Sequence, residues 1–168
     1  TKRKPWDDIR VRKAVDLVID REAAVEILRK GSLIGGYLQP GTPWAMPQEE
    51  LLKRPGFRQP KDQDIAEAKR LMAEAGYAGK TIEVTIPTRN LKAYIDLAVF
   101  AKSELAKLGI EATVKPQDVA TMSKILFAHD MDMLPYAEGF ASYDPDVIFG
   151  DFYVTGALRN YGEWSDPK

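Results

Sequence analysis

Four stretches of the chain repeat apolar residues every three or four positions, which is the period of an amphipathic α-helix packed on a core. Asp20, Asp64 and Asp118 stand where N-terminal caps are expected, with Glu67 at capping-box spacing from Asp64. Asp20 therefore opens a further short helix. The four apolar sets are Val11, Ala14, Val15, Val18 and Ile19; Ile65, Ala68, Leu71, Met72 and Ala75; Leu91, Ile95, Ala98, Val99, Leu105 and Leu108; and Val119, Met122, Ile125 and Leu126.

Between these helices the pattern changes to the alternation of a β-strand. Residues 81–86 put Ile82, Val84 and Ile86 on one face, residues 110–114 alternate in the same way, and a third apolar segment covers 131–136. Strand, helix, strand, helix, strand is the order of right-handed crossovers in a parallel sheet. The sequence therefore predicts an α/β fold with a mostly parallel sheet and flanking helices, followed by a short helix that Asp144-Pro145 opens.

Residues 31–60 interrupt this order with a high density of proline and glycine. Turn formers at this density exclude long helices and central strands, so the segment is predicted to be one long loop held by Tyr37, Trp44 and Phe57. The chain has 168 residues and shows no internal repeat, so we expect residues 1–168 to form a single domain that contains this loop.

Charge and cysteine content exclude several classes of function. Basic and acidic residues nearly balance, at 24 and 25, and the basic ones are scattered, so nucleic acid is not expected as a partner. The absence of cysteine excludes disulfides and thiolate chemistry. The longest apolar runs fall short of the roughly 20 residues that cross a membrane.

Motifs for catalysis, cofactors and metals are weak. His129 is the single histidine, and with Asp130 and Asp132 it falls short of a metal ligand set. The sequence has no nucleophile elbow, phosphate-binding loop or dinucleotide fingerprint. We therefore predict no catalytic residue, no metal and no cofactor.

Ligands of open α/β sheets lie beyond the carboxyl ends of the strands, so the loops at 88–90, 115–117 and 137–143 are the candidate site. Arg89 has the bidentate fork that holds a carboxylate, although a solvated surface charge is the alternative. Trp44 is a candidate wall of the cleft, or a residue that packs on the helices. The third loop contributes the candidates Glu138, Phe140, Ser142 and Tyr143, of which the two aromatic residues have covering the sheet edge as their alternative role.

Several short motifs recur in an order that resembles one protein family. They are Trp6-Asp7-Asp8-Ile9-Arg10-Val11-Arg12-Lys13-Ala14-Val15, the run Ala-Lys-Arg-Leu-Met-Ala-Glu-Ala-Gly-Tyr at 68–77, Leu-Ala-Lys-Leu-Gly-Ile at 105–110, Asp144-Pro145-Asp146 and Asn160-Tyr161-Gly162. Together they are similar to the second-lobe segment of the family 5 solute-binding proteins of ABC importers, a group that includes dipeptide, oligopeptide and nickel binders. The resemblance spans nearly the whole chain.

This resemblance implies a fold, a function and partners. The fold is one lobe of a periplasmic-binding-protein type II structure, with the first lobe and the export signal outside these 168 residues. The function is capture of a peptide-like or other small polar solute between the lobes and its delivery to an ABC permease in the membrane. The implied location is periplasmic or extracellular, and no enzyme activity is expected.

The same resemblance makes one recognition mode doubtful. Peptide binders of the family place an aspartate three residues before the Asp-Pro dipeptide, where it pairs with the free amino terminus, and the residue here is Ala141. Glu138 is close enough in sequence to substitute for it. Two alternatives to solute capture stay open, namely a sensory or partner-protein-binding lobe and a small α/β enzyme domain.

Overall fold

The computed structural model describes residues 3–137, 142 and 144–165 of the chain. Seven helices and two strands occur in these ranges. The elements are α1 Ile9–Val18, α2 Arg21–Leu28, α3 Gln48–Leu51, α4 Asp62–Glu74, β1 Ile82–Arg89, α5 Lys92–Ala106, β2 Ile110–Gln117, α6 Val119–Phe127 and α7 Pro145–Phe152. Apart from α3, residues 31–60 contain turns and irregular backbone, as their proline and glycine content predicts.

The two strands are parallel, and α5 is the crossover between them. Pairing is in register from Ile82 opposite Ile110 to Arg89 opposite Gln117. Ile82, Val84 and Ile86 are buried because α5 covers their face of the sheet, while Glu83 is exposed on the other face. The alternation that predicted these strands is thereby confirmed.

One apolar core joins the sheet to the helices. α1 packs against α4, and α5 packs against both strands. Burying a residue the size of Ile86 or Leu105 contributes about 1.5–3 kcal/mol each. The residues with no exposed surface in this core include Val11, Ala14 and Val18 of α1, Ala68 of α4, Ala98 and Leu105 of α5 and Ile110 of β2.

Aspartates begin four of the helices. The side chains of Asp8, Asp20, Asp118 and Asp144 each accept a hydrogen bond from a backbone N–H in the first turn of the helix that follows. The predicted caps at Asp20 and Asp118 and the predicted helix after Asp144 are confirmed. Gly109, with φ of 75°, makes the left-handed turn that ends the α5 region and leads the chain into β2.

Asp64 is not the cap that its spacing predicts. α4 begins at Asp62, and the Asp64 carboxylate is fully buried. It accepts hydrogen bonds from Gly56 N at 2.8 Å, Lys61 Nζ at 2.9 Å and Arg58 Nε at 2.5 Å. Burial alone raises the pKa of this carboxyl, but the three donors outweigh burial and hold the pKa below its usual value.

The predicted third strand at 131–136 is wrong, because residues 131–137 form neither helix nor strand. The Thr85 N–H points away from β2 and donates to Asp132 Oδ2 at 3.0 Å. This carboxylate takes the place of the carbonyl that a third strand would present. Pro135 also lacks the N–H that a ladder requires.

Several apolar residues are more exposed than the helical pattern predicts. Leu91, Val99 and Val119 are 56%, 52% and 70% exposed. The prediction that these three residues face the core is therefore wrong. Tyr37 and Trp44 are also exposed, whereas Phe57 packs under the Arg21 guanidinium at 4.3 Å. Of the three predicted anchors, Phe57 is therefore fixed beneath another side chain, and Tyr37 contacts the ring of Tyr153.

Candidate functional site

The carboxyl ends of β1 and β2 lie side by side because the strands are parallel and in register. Arg89 ends β1 opposite Gln117, and the Asn90 N–H continues the ladder by donating to the Gln117 carbonyl at 2.9 Å. The loop after β2 leads directly into α6, whose cap is Asp118. This edge has the position that ligand sites occupy in open α/β sheets.

Arg89 is half-buried at this edge and its guanidinium lies against a ring. The guanidinium carbon is 5.4 Å from the ring centroid of Tyr94, which belongs to the first turn of α5. Tyr94 Oη in turn donates to the Ala137 carbonyl at 3.4 Å. Tyr94 therefore connects Arg89 to the segment that precedes residue 138, and it is a contributor that the sequence analysis missed.

Ser142 belongs to the turn that opens α7. Its Oγ accepts a hydrogen bond from the Asp144 N–H at 3.1 Å, and the Asp144 side chain accepts one from the Asp146 N–H at 3.0 Å. The serine hydroxyl is exposed. Its own proton is not used in this hydrogen bond. The predicted site residues Glu138, Phe140 and Tyr143, and Ala141 as well, lie outside the described residues.

Trp44 lines a hollow of about 560 Å³ on the long loop, with Tyr37, Phe57 and Phe149. Neither Arg89 nor Ser142 is among the residues that line it. The structure therefore does not bring Trp44 together with the other predicted site residues that it describes.

The residues considered for metal binding have other partners. His129 Nδ1 lies 3.1 Å from the Tyr161 carbonyl, Asp130 pairs with Arg3, and Asp132 accepts from Thr85. In the described ranges, no group of three or more histidine and acidic side chains is arranged around a common point for a metal ion. The same part of the chain contains no helix with both the length and the apolar character to cross a membrane.

An aromatic cluster that the sequence analysis did not predict joins Tyr136 to α7 and to Tyr161. The rings of Tyr136, Phe152 and Tyr161 meet edge to face, with centroids 5.6–6.3 Å apart. Asn160 is buried beside them and bonds both backbone groups of Trp164. These contacts hold the segments on both sides of residues 138–141, and the density of aromatic residues between 136 and 164 was the available signal.

Comparisons with known proteins agree with this architecture. The sequence model of the family described as "Bacterial extracellular solute-binding proteins, family 5 Middle" matches residues 1–159. Di/tripeptide-binding protein 1 of Pseudomonas aeruginosa is 26% identical over 172 residues, and the match covers 97% of this chain. The chain spans 30% of the length of that relative.

Solved structures share the fold. The murein tripeptide binding protein MppA of Escherichia coli superposes with a TM-score of 0.83 at 20% identity, over 99% of this chain and 33% of MppA. OppA of Haemophilus influenzae, solved in complex with the peptide RPPGFSPFR, superposes with a TM-score of 0.79 at 23% identity, over 99% of this chain and 33% of OppA.

Proposed function

Because this chain belongs to the bacterial extracellular solute-binding proteins of family 5, we propose that it forms one lobe of the solute-binding component of an ABC importer. The family predicted from the motifs is confirmed, as is the α/β fold of the periplasmic-binding-protein type II class. This family binds solutes and is not an enzyme family. The family match over residues 1–159 is the observation that carries the proposal.

In this proposal a second lobe outside these 168 residues closes on the solute by a hinge motion. The closed protein then docks on a membrane permease, at the periplasmic or outer side of the membrane. Residues 1–168 form the single lobe, with 31–60 as its long loop. The carboxyl edge of the sheet faces the cleft, because this is where parallel α/β sheets place their ligands.

Arg89 is the residue of this edge best suited to a peptide-like solute. Its guanidinium is half-buried and lies on Tyr94, so its orientation is restricted before a ligand arrives. A restricted guanidinium binds a carboxylate or carbonyl at a lower entropic cost than a freely rotating one. Ser142 adds an exposed hydroxyl near the start of α7, and Glu138, Phe140 and Tyr143 complete the proposed cleft.

The solute class proposed is a peptide or peptide-like compound. Relatives whose names state a ligand include the di/tripeptide-binding protein and the tripeptide binder MppA. Ala141 lacks the carboxylate that would pair with a free amino terminus, and burying an unpaired ammonium costs several kcal/mol. We therefore propose a solute whose amino end is blocked or is paired by Glu138.

The test is solute capture by the two-lobed protein. Native mass spectrometry after gentle purification is expected to show a retained mass, and calorimetric titration with free and N-acetylated peptides gives the affinity. Arg89→Gln is expected to weaken binding at least about tenfold, since a charge-assisted hydrogen bond is lost. Lys92→Gln is the matched control, because Lys92 is 86% exposed and its partner is Asp96.

Three outcomes contradict the proposal. Absence of both a retained mass and a response to the peptide panel would favour a lobe that binds a partner protein. Equal affinities of the Arg89→Gln and Lys92→Gln variants would remove Arg89 from the cleft. A preference for free over N-acetylated peptides that survives Glu138→Gln would contradict the role given to Ala141 and Glu138.

A further inference from the structure

The hollow beside Trp44 has the size and walls of a small-molecule site. Its volume of about 560 Å³ lies within the 300–1,000 Å³ that ligand pockets occupy. Two separate parts of the chain bring aromatic rings to it: the long loop, with Tyr37, Trp44 and Phe57, and α7, with Phe149. Aromatic rings therefore face it from more than one side.

Three of these four rings are held in place by neighbouring side chains. Tyr37 is 73% exposed and meets Tyr153 edge to face at 5.6 Å, and Phe149 lies 5.8 Å from the same Tyr153 ring. Phe57 is fixed under Arg21 at 4.3 Å. Trp44, which is 63% exposed, therefore faces walls that are already ordered. An apolar ligand would bury this ring surface without first ordering it, which favours binding.

The hollow carries a net positive charge. Its charged lining residues are Asp16, Arg21 and Arg54. Arg21 pairs with the Asp16 carboxylate at 2.5 Å and also donates to the Gly56 carbonyl at 2.6 Å, so these two charges balance. Arg54 is exposed, and its described side-chain contact is a long one of 3.9 Å to Met46 Sδ. The guanidinium of Arg54 thus gives the hollow a net positive charge beside its aromatic walls.

From this geometry we propose that the hollow is a second ligand site, which binds a planar apolar group carrying one carboxylate. The ring of the ligand lies among Tyr37, Trp44 and Phe149, and its carboxylate meets Arg54 in a charge-assisted hydrogen bond. The site is distinct from the cleft at the carboxyl edge, since Arg89 and Ser142 do not line it. It goes beyond solute capture and does not depend on it.

To test this site, the two-lobed protein is titrated with 3-phenylpropionate. Binding is measured by calorimetry and by tryptophan fluorescence, which is excited at a wavelength where 3-phenylpropionate does not absorb. The uncharged 3-phenylpropanol is the matched ligand. We expect saturable binding of the acid, with a change in Trp44 emission that Trp44→Phe abolishes. Arg54→Gln is expected to weaken binding of the acid about tenfold and to leave binding of the alcohol unchanged. Lys53→Gln removes a neighbouring charge that does not line the hollow and is expected to have no effect.

Two results would overturn this site. The first is equal binding of the acid to the unsubstituted protein and to Arg54→Gln. The second is no saturable binding, with Trp44 shielded from acrylamide, which would assign the hollow to contact between lobes. Solute capture measured on Arg54→Gln separates the two proposals. If the hollow is a distinct site, this variant is expected to capture the solute as well as the unsubstituted protein does. If the unsubstituted protein itself captures no solute, the proposal that fails is the cleft at the carboxyl edge, and binding of 3-phenylpropionate still tests the hollow.

Discussion

Replacing Asp64 by alanine tests the buried ion cluster at the start of α4. Asp64 has no exposed surface and Lys61 is 7% exposed, so neither charge is compensated by water. The substitution leaves Lys61 Nζ and the Gly56 N–H without their carboxylate acceptor. Arg58 is 25% exposed and can turn toward solvent. The cost therefore comes mainly from Lys61 and the Gly56 N–H.

Removing one partner of a buried ion pair costs about 3–5 kcal/mol, because the other charge stays buried without compensation. Typical domains are stable by about 5–15 kcal/mol, so Asp64→Ala is expected to remove a large part of the stability. At a urea m-value of about 2 kcal/mol per molar, a loss of 3 kcal/mol lowers the midpoint by about 1.5 M. The double variant Lys61→Met, Asp64→Leu removes both ions and is expected to cost at least about 1 kcal/mol less than Asp64→Ala.

The pH dependence has a defined sign. The folded pKa of Asp64 is lowered from the ordinary value of 3.8, so the folded state binds this proton more weakly than the unfolded state does. The stabilisation is present above the unfolded pKa and is lost as the pH falls from about 4 through the folded pKa. The difference in free energy of unfolding between the unsubstituted chain and Asp64→Asn should therefore be largest near pH 7 and shrink below pH 4.

Urea denaturation followed by circular dichroism, at pH 7 and at steps down to pH 3, measures these free energies. A loss below about 1 kcal/mol for Asp64→Ala would show that Lys61 reaches water and that the cluster is not an uncompensated buried ion pair. A difference between the unsubstituted chain and Asp64→Asn that stays constant with pH would refute the lowered pKa.

Two further substitutions test backbone geometry and side-chain bonding. Gly56→Ala places a Cβ 3.0 Å from the Asp16 carboxylate at a φ of 88°, whereas Gly41→Ala, at a φ of 84°, meets no atom within 4 Å. Gly56→Ala is therefore expected to lower the urea midpoint more, and its loss of unfolding free energy should exceed that of Gly41→Ala by about 1 kcal/mol or more. Equal losses would mean that only the left-handed backbone matters. Asn160→Ala removes three hydrogen bonds to the backbone of Val154 and Trp164. Amide hydrogen exchange over 154–164 should become faster by about tenfold or more, which corresponds to a loss of about 1–3 kcal/mol of local stability. Asn90→Ala is the control at an exposed position. Unchanged exchange would show that the aromatic contacts alone hold this segment.

The fold was predictable where local pattern and tertiary packing agree. α1, α4, β1, α5 and β2 each present an apolar face with the correct period, and the sheet and crossover buried those faces. Asp20 and Asp118 were predictable as caps because the bonds they make are local. Asp64 was not, because its partners Gly56, Arg58 and Lys61 belong to a turn whose path the spacing of Asp64 and Glu67 does not encode.

The candidate site was predictable in position and less so in membership. The rule for parallel sheets pointed to Arg89. It could not predict Tyr94, because the contact of this ring with the guanidinium depends on how the first turn of α5 packs beside the end of β1. Trp44 is far along the chain from Phe149, and the hollow that they share depends on how the long loop folds beside α7. The third strand was mispredicted because residues 131–136 are mostly apolar. The pattern does not show that the Asp132 carboxylate accepts the Thr85 N–H, which a neighbouring strand would otherwise bond.

The hydrogen bond from Thr85 to the Asp132 carboxylate also affects whether copies of this chain can associate through the sheet. A free edge of a β-sheet is a template on which another chain can add a strand, and this is a common start of aggregation. On the outer edge of β1 the Thr85 N–H is already bonded to Asp132, and Pro87 presents no N–H at all. An incoming strand therefore finds two successive outward donor positions closed, so this edge is a poor starting point for fibres.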